Sequence, residues 1–363
     1  GGPAARGAAA VPCEGAVLVT GAAGQLGRAL IAAWRAAQPG RPIIALVRAP
    51  DREAARRRLG PIGDQVEVIC GDVARPELGV DDWRAVAART STIVHAAAHL
   101  ELGAGWDAHA AANVDGTAEV ARLAAAHGLA WHHVSTLSVF VSTDRPAGVH
   151  REAALPDGAA VAHGGYAQTK LAAEAIARAA GAATIFRLGL LVAASPRPGD
   201  QLAMTVRGLA RLGAVPDDLG ARRFDVTPLD HAAAAIVALV GARSTPSTAI
   251  AASAAASVVH HLASPTGASF AELVAAIRAA GAPLAELSAD AWAARARDRL
   301  ADPDIAMAYL SLRGDPAYDL FLATGAEFDV ARTQAVIAAR GLILPPTAAT
   351  LAAHVAGALE ARP

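Results

Sequence analysis

Lysine and asparagine are almost missing from this chain of 363 residues. Lys and Arg total 32, yet Lys170 is its one lysine and Asn113 its one asparagine. The coding bias that favours Ala, Arg and Gly makes each survivor worth explaining. Cysteine is nearly as scarce. Cys13 and Cys70 are too few for a disulfide framework and lack the CxxC spacing of a zinc site. Cys70 closes an apolar run and reads as a buried small side chain. No apolar run of ~20 residues is present, so no membrane-spanning helix is expected, and no signal peptide is recognisable. Charged residues make up 18%, and the net charge of -1 offers nucleic acid or an anionic membrane no electrostatic handle. There is no HExxH. His132-His133 and His260-His261 sit next to each other on apparent strands, where neighbours face opposite ways, so a metal centre is not expected. These absences imply a reducing, soluble, cytoplasmic setting.

What is present suffices for a large core. Hydrophobic residues make up 54%, which excludes disorder for most of the chain. At ~150 residues per domain the length suggests two units, or one with an insertion. Residues 1–14 open GGPAARGAAA without Met and read as a tail and linker, so a piece of a longer protein is expected.

From Ala16 the chain alternates. Strands are predicted at Ala16–Thr20, Pro42–Val47, Val66–Cys70, Ser91–His95, Trp131–Val139 and Ala183–Arg187, with helices between them that include Gln25–Ala37, one long helix Trp106–Ala126, and Tyr166–Ala180. That rhythm predicts an α/β fold, a doubly wound parallel sheet of Rossmann type. After Arg187 it breaks. A Pro/Gly-rich loop Ser195–Asp200 leads to a helix over Gln201–Leu212, further strands fall at Phe224–Val226 and Ala256–Leu262, and from Ser269 the pattern is helical. The expected organisation is a nucleotide-binding domain over 15–194 that returns at 223–265, and a smaller, mainly helical lobe from 195–222 and 266–363.

Two motifs carry chemistry. In VLVTGAAGQLGRAL, Thr20 ends a strand, Gly21, Gly24 and Gly27 form the turn, and Gln25 and Leu26 open the helix. Such glycines let the backbone approach a pyrophosphate resting on the helix N-terminus. The second strand ends in Arg48, where an NAD enzyme usually carries an acid for the ribose 2′-hydroxyl, and Arg28 follows the third glycine. Guanidinium groups there suit a 2′-phosphate, which favours NADPH, with Arg58 in a position to assist. The second motif is GGYAQTKLAAE. Lys170 follows Tyr166 by four residues, on one face of a helix. A nearby ammonium is expected to lower the phenol pKa toward acid–base use. The strand-end hydroxyls of Ser135, Thr136 and Ser138 face the ligand crevice, where one could stabilise an oxyanion.

These residues resemble the extended short-chain dehydrogenase/reductase family, whose TGxxGxxG turn and YxxxK pair they match. The resemblance implies a catalytic Thr136, a general acid Tyr166, and a Lys170 that binds the nicotinamide ribose and tunes the tyrosine. It also implies that Asp72 and Val73 line the adenine side, that Ala96 and Ala97 line the cofactor after the fourth strand, and that Asn113, in NVDGT, holds the site's geometry on the cofactor side. Leu188 and Gly189 follow the Arg of strand six, where many members place Pro. Segments such as IIALVRAPDREAARRRL, HHVSTLSVF and RRFDVTPLDHAAAAIVAL look like the terminal thioester reductase domains of nonribosomal peptide and polyketide synthases, with related domains in carboxylic acid reductases. That likeness implies NADPH-dependent reductive release of an acyl or peptidyl thioester from the phosphopantetheine arm of a carrier protein, giving an aldehyde or, after a second hydride, an alcohol. No GxDS-type attachment serine is present, so the carrier would be a neighbouring domain or separate protein. Arg207, Arg211, Arg222 and Arg223 could face an acidic carrier, though a solvated surface is the plainer reading. The rivals are an acyl-CoA reductase, a non-redox Dieckmann-type release domain, a sugar-nucleotide enzyme and an NADPH sensor. An intact Thr–Tyr–Lys set speaks against the non-redox domain and the sensor. Leu137-Ser138 after Thr136, in place of Asp-Glu, speaks against sugar dehydration.

Overall fold

The computed structural model describes residues 15–141, 148–154, 164–241, 257–313, 316–321 and 326–360. Its centre is one sheet of seven parallel strands, here β1 (Ala16–Thr20), β2 (Ile43–Val47), β3 (Glu67–Cys70), β4 (Thr90–His95), β5 (Ala130–Thr136), β6 (Thr184–Leu188) and β7 (Val258–Leu262). Their order is β3-β2-β1-β4-β5-β6-β7. The order reverses beside β1, so the crevice at the carboxyl ends of β1 and β4 is the topological switch point where such sheets bind ligands. β1 and β2 are buried at every position, as strands covered on both faces must be. One core lies on each face of the sheet. Leu30, Ile31 and Trp34 pack on one side, and Val120, Leu123 and Trp131 on the other.

A third core builds the helical lobe. Helices Gln201–Leu212, Phe270–Ala279, Ala289–Arg297, Pro303–Arg313 and Thr347–Glu360 close around Leu209, Phe270, Trp292 and Leu351. Their ends are set by the sequence. Ser269 and Glu272 form a reciprocal capping box, and Asp200 caps Gln201–Leu212 by accepting from the Ala203 N–H at 2.9 Å. Arg207 and Arg211 pair with Asp304 and Asp302 in this lobe, which ties them to the lobe itself. Residues 1–14 and most of the Ala-rich stretch 248–257 lie outside the described residues.

Three elements depart from the sequence expectation. β5 stops at Thr136 rather than at Val139, because the Thr136 hydroxyl accepts the Ser138 N–H at 3.1 Å and turns the chain into a 3-10 turn, Leu137–Phe140. The long helix is two α-helices, Trp106–Ala110 and Gly116–His127, joined by a π-helical turn at Ala111–Asp115. Asn113 lies inside that turn; such π-bulges are frequent at functional sites. The strand expected at Phe224–Val226 is two short pieces, Arg223–Phe224 and Thr227–Pro228, paired with Ala268–Ser269 and Leu191–Val192. Cys70 is only partly buried.

Candidate functional site

The glycine turn is shaped by close approach. Gly21 has φ +67°, and a Cβ there would lie 2.7 Å from the backbone of Ala97. A Cβ on Gly27 would lie 2.2 Å from the Gly21 carbonyl oxygen, so the helix could not sit this close to the strand. The helix Gln25–Ala37 begins at Gly24 with no side-chain cap and no acid in its first turn. Its bare N–H groups and dipole suit an anion. Two polar groups beside them are buried without a partner, Gln25 Nε2 and Arg28 Nε. Buried donors of this kind are normally satisfied, and a dinucleotide phosphate would satisfy them.

Two adjoining cavities meet at this turn. The larger, about 840 Å³, contains Gly21, Gly24, Gln25, Leu26 and Gly27 in its wall together with Thr136, Tyr166, Lys170, Leu188 and Gly189. The smaller, about 250 Å³, is walled by Arg48, Arg58, Asp72, Val73, Ala96 and Ala97. Arg28 donates to the Arg58 carbonyl, and Arg58 to the Arg48 carbonyl, so the three arginines form one cluster. The residues present therefore fit a nicotinamide dinucleotide lying across both cavities.

Thr20 and Asn113 work from behind the wall. The Thr20 hydroxyl accepts the Ala97 N–H at 3.1 Å, so its own proton goes to His95 Nδ1 at 2.9 Å. His95 Nε2 then donates to Thr117 Oγ1 at 3.1 Å, which donates to the Asn113 carbonyl at 2.6 Å. Burial, reinforced by the charge of Lys170, holds His95 down to about 3, so this relay is neutral. The Asn113 side chain accepts the His99 N–H at 2.7 Å and donates to the His99 carbonyl and Thr169 Oγ1 at 3.1 and 3.0 Å. It clamps the loop after β4 to the helix Gly164–Ala179 and lines neither cavity.

The Tyr166 helix brings the second motif to the larger cavity. Thr136 is 8% exposed at the end of β5. Tyr166 is partly exposed toward the cavity, and His109 meets its ring edge-on with centroids 6.3 Å apart. Lys170 is 2% exposed. Its ammonium donates to the Val134 carbonyl at 2.6 Å and to His133 Nε2 at 3.4 Å. The expected lowering of the Tyr166 pKa is not what the structure holds. Desolvation pushes the phenol up to about 12. Burial also pulls Lys170 down to about 8, against the opposing pull of Glu174.

Several residues here escaped sequence reading. Glu174, one turn beyond Lys170, is 1% exposed and accepts from Ser135 Oγ at 2.8 Å, Arg187 Nη2 at 2.6 Å and Arg178 at 3.0 Å. Arg187, fully buried, also reaches Ala154 and His261 and lies over the Phe140 ring. Asp225 walls the larger cavity opposite Gly189. Burial pushes its carboxyl up to about 6, although the Thr227 hydroxyl and the Ser264, Leu190 and Val226 N–H groups all donate to it. Arg197, from the loop before the lobe, walls the smaller cavity. Nothing in the local sequence marks these positions, since each acts across the sheet or the cavity.

Among known proteins, the family model described as "Male sterility protein", an NAD-binding family, matches residues 19–236. The chain is 31% identical over 300 residues to a linear gramicidin synthase protein of Brevibacillus parabrevis, covering 76% of this chain and 6% of that protein. It thus spans a small fraction of that relative's length. Its fold matches the terminal R domain from the myxalamid PKS-NRPS pathway with a TM-score of 0.80, at 24% identity and covering 95% and 90% of the two chains. It matches the reductase (R) domain of a nonribosomal peptide synthetase from Mycobacterium tuberculosis with a TM-score of 0.72, at 26% identity and covering 96% and 92%. With its seven-stranded sheet, glycine turn and Tyr–Lys helix, the chain belongs to this NAD-binding family, as an extended short-chain dehydrogenase/reductase of the R-domain type.

Proposed function

We propose that this chain is an NADPH-dependent reductase that releases an acyl or peptidyl chain from a carrier protein by reducing its phosphopantetheine thioester to an aldehyde. The observation that carries the reading is convergence: Thr136, Tyr166 and Lys170 share one cavity wall with the glycine turn. Gly21, Gly24 and the N-terminus of Gln25–Ala37 would hold the cofactor's pyrophosphate, Arg28, Arg48 and Arg58 its 2′-phosphate, and Lys170 its nicotinamide ribose. Bound there, NADPH supplies a hydride.

The rest of the chemistry belongs to side chains. Thr136 and Tyr166 present hydroxyls to the thioester carbonyl and stabilise the negative charge that develops on its oxygen. Tyr166 gives that oxygen its proton as general acid, and the Lys170 ammonium stabilises the phenolate left behind. When the resulting hemithioacetal collapses, its C–S bond breaks, its hydroxyl proton is lost, and a free thiol and an aldehyde leave. The phenol is protonated at neutral pH, as a general acid must be, and burial, which pushes it up to about 12, makes it the weaker acid until the phenolate's charge is met. Leu26, Leu188, Leu190 and Leu191 in the same wall offer an acyl chain apolar surface. The relatives' synthase names support a carrier-bound substrate.

A panel of acyl-carrier, acyl-pantetheine and acyl-CoA thioesters, followed by NADPH consumption and product identification, tests the reading. Aldehyde formed with one NADPH consumed per thiol released is expected, with the carrier substrate preferred. Cyclised product with NADPH unspent would assign a non-redox release domain instead, and equal kcat/KM for CoA substrates would remove the carrier.

A further inference from the structure

The loop 195–200 connects the sheet to the lobe and carries a cation, Arg197, that has no carboxylate partner among the described residues. Arg197 Nη2 reaches back across the molecule to donate to the Ala23 carbonyl, in the glycine turn, at 2.9 Å. Its guanidinium is half-buried and walls the smaller cavity with Arg48, Arg58 and Asp72. It takes no part in the wall of the larger cavity that holds Tyr166. Arg28 is its close neighbour, and burial together with the charge of Arg28 holds Arg197 below the ordinary arginine range.

Three arginines, Arg48, Arg58 and Arg197, thus wall one small space, with the charge of Arg28 beside it. Arg28 contacts the backbone of Arg58, Arg58 that of Arg48, and Arg197 that of Ala23. Among the described residues none of the four is paired with a carboxylate. Arg28 Nε is buried without any partner. Like charges gathered in a partly desolvated space repel one another, and a multiply charged anion reverses that balance. Arg197 lies where Gly21, Ala23 and Gly24 of the turn adjoin Arg48, Arg58 and Asp72 in the wall of the smaller cavity; the bare N–H groups of the turn suit the pyrophosphate, which leaves the arginines for the 2′-phosphate.

We propose that Arg197 is a ligand of the cofactor's 2′-phosphate, delivered by the loop that leads into the helical lobe. This rests on the NADPH reading above and extends it. The three residues Arg28, Arg48 and Arg58 come from the nucleotide-binding half, whereas Arg197 lies three residues before Asp200. Asp200 caps the lobe helix Gln201–Leu212 and faces His354 of the last helix at 3.6 Å. Arg197 already ties the lobe's leading loop to the glycine turn through Ala23, and a 2′-phosphorylated dinucleotide adds a second tie that an unphosphorylated one lacks.

Equilibrium titration of the whole chain with NADPH, NADH, adenosine 2′,5′-bisphosphate and 5′-AMP tests this. Arg197→Gln is expected to weaken NADPH and the bisphosphate by about 10- to 100-fold, the worth of one charge-assisted contact, while NADH and 5′-AMP stay within about twofold. Arg197→Lys, which keeps the charge, is the second variant and is expected to lose less. Unchanged NADPH affinity in Arg197→Gln, or an equal loss for NADH, overturns the assignment. If the unmodified protein itself fails to prefer the bisphosphate over 5′-AMP, the NADPH reading falls and this one with it. If the protein shows that preference and Arg197→Gln keeps it, the role of Arg197 alone is lost.

Discussion

The Lys170 ammonium donates to the carbonyl oxygen of Val134 at 2.6 Å, pinning the Tyr166 helix to the strand that ends in Thr136. With the Ser135–Glu174 hydrogen bond at 2.8 Å, it ties together the two elements that carry Tyr166 and Thr136. It costs stability, because a buried ammonium has been taken out of water.

That cost is readable as a pH dependence. Burial lowers Lys170 from 10.5 to about 8 in the folded state. Between those values the unfolded chain binds the extra proton, so stability rises with pH across this window and the penalty is fully present below it. The chain has no other lysine to obscure the effect. Denaturant midpoints of the wild type and Lys170→Met, compared from pH 7.5 to 10, should converge or cross as the wild type gains stability relative to the variant. Parallel profiles would show that the ammonium is solvated rather than buried.

Asn113 supports the same site from behind. Its side chain makes three hydrogen bonds, two of them to the backbone of His99. Asn113→Leu would leave the His99 N–H and carbonyl and the Thr169 hydroxyl without this partner inside the protein. The expected loss is about 1–3 kcal/mol per orphaned group, read as a lower thermal midpoint, with kcat reduced more than cofactor affinity. A variant with normal stability and selectively lost cofactor affinity would mean that Asn113 touches the cofactor directly.

Glu174 and Arg187 form a buried ion pair one turn beneath Lys170, at 2.6 Å. Removing one partner strands the other in the core. Glu174→Ala should therefore cost about 3–5 kcal/mol, whereas a double variant that replaces both residues with apolar ones should recover much of it. Chemical denaturation of the single and double variants checks this. Additive losses would contradict it.

Much of this architecture was legible in the chain. Alternating strands and helices gave the parallel sheet, and the TGAAGQLG turn and the Tyr166–Lys170 spacing marked two motifs that the structure brings to one cavity. Local rules work there because the glycine turn and an i, i+4 helical pair are local geometry. What stayed hidden is long-range. Glu174 and Arg187 meet from a helix and a strand, Arg197 reaches the turn from 174 positions away, and Asp225 enters the cavity from a return crossing. The π-turn at Asn113 was hidden for a related reason. Its residues have ordinary helical periodicity, and the turn coincides with side-chain hydrogen bonds of Asn113 to the His99 loop and Thr169, which local sequence does not show. The Tyr166 pKa went the other way because burial of the phenol, which the i, i+4 spacing does not report, pushes it up.

The central claim is that Tyr166 delivers the proton in thioester reduction. The most direct measurement pairs NADPH oxidation with a carrier-bound acyl thioester against NADPH binding, for the wild type and Tyr166→Phe. In Tyr166→Phe, kcat is expected to fall by about 10²- to 10⁴-fold, as for loss of a general acid, with the Kd for NADPH within about twofold. Turnover by Tyr166→Phe close to the wild-type rate would contradict it.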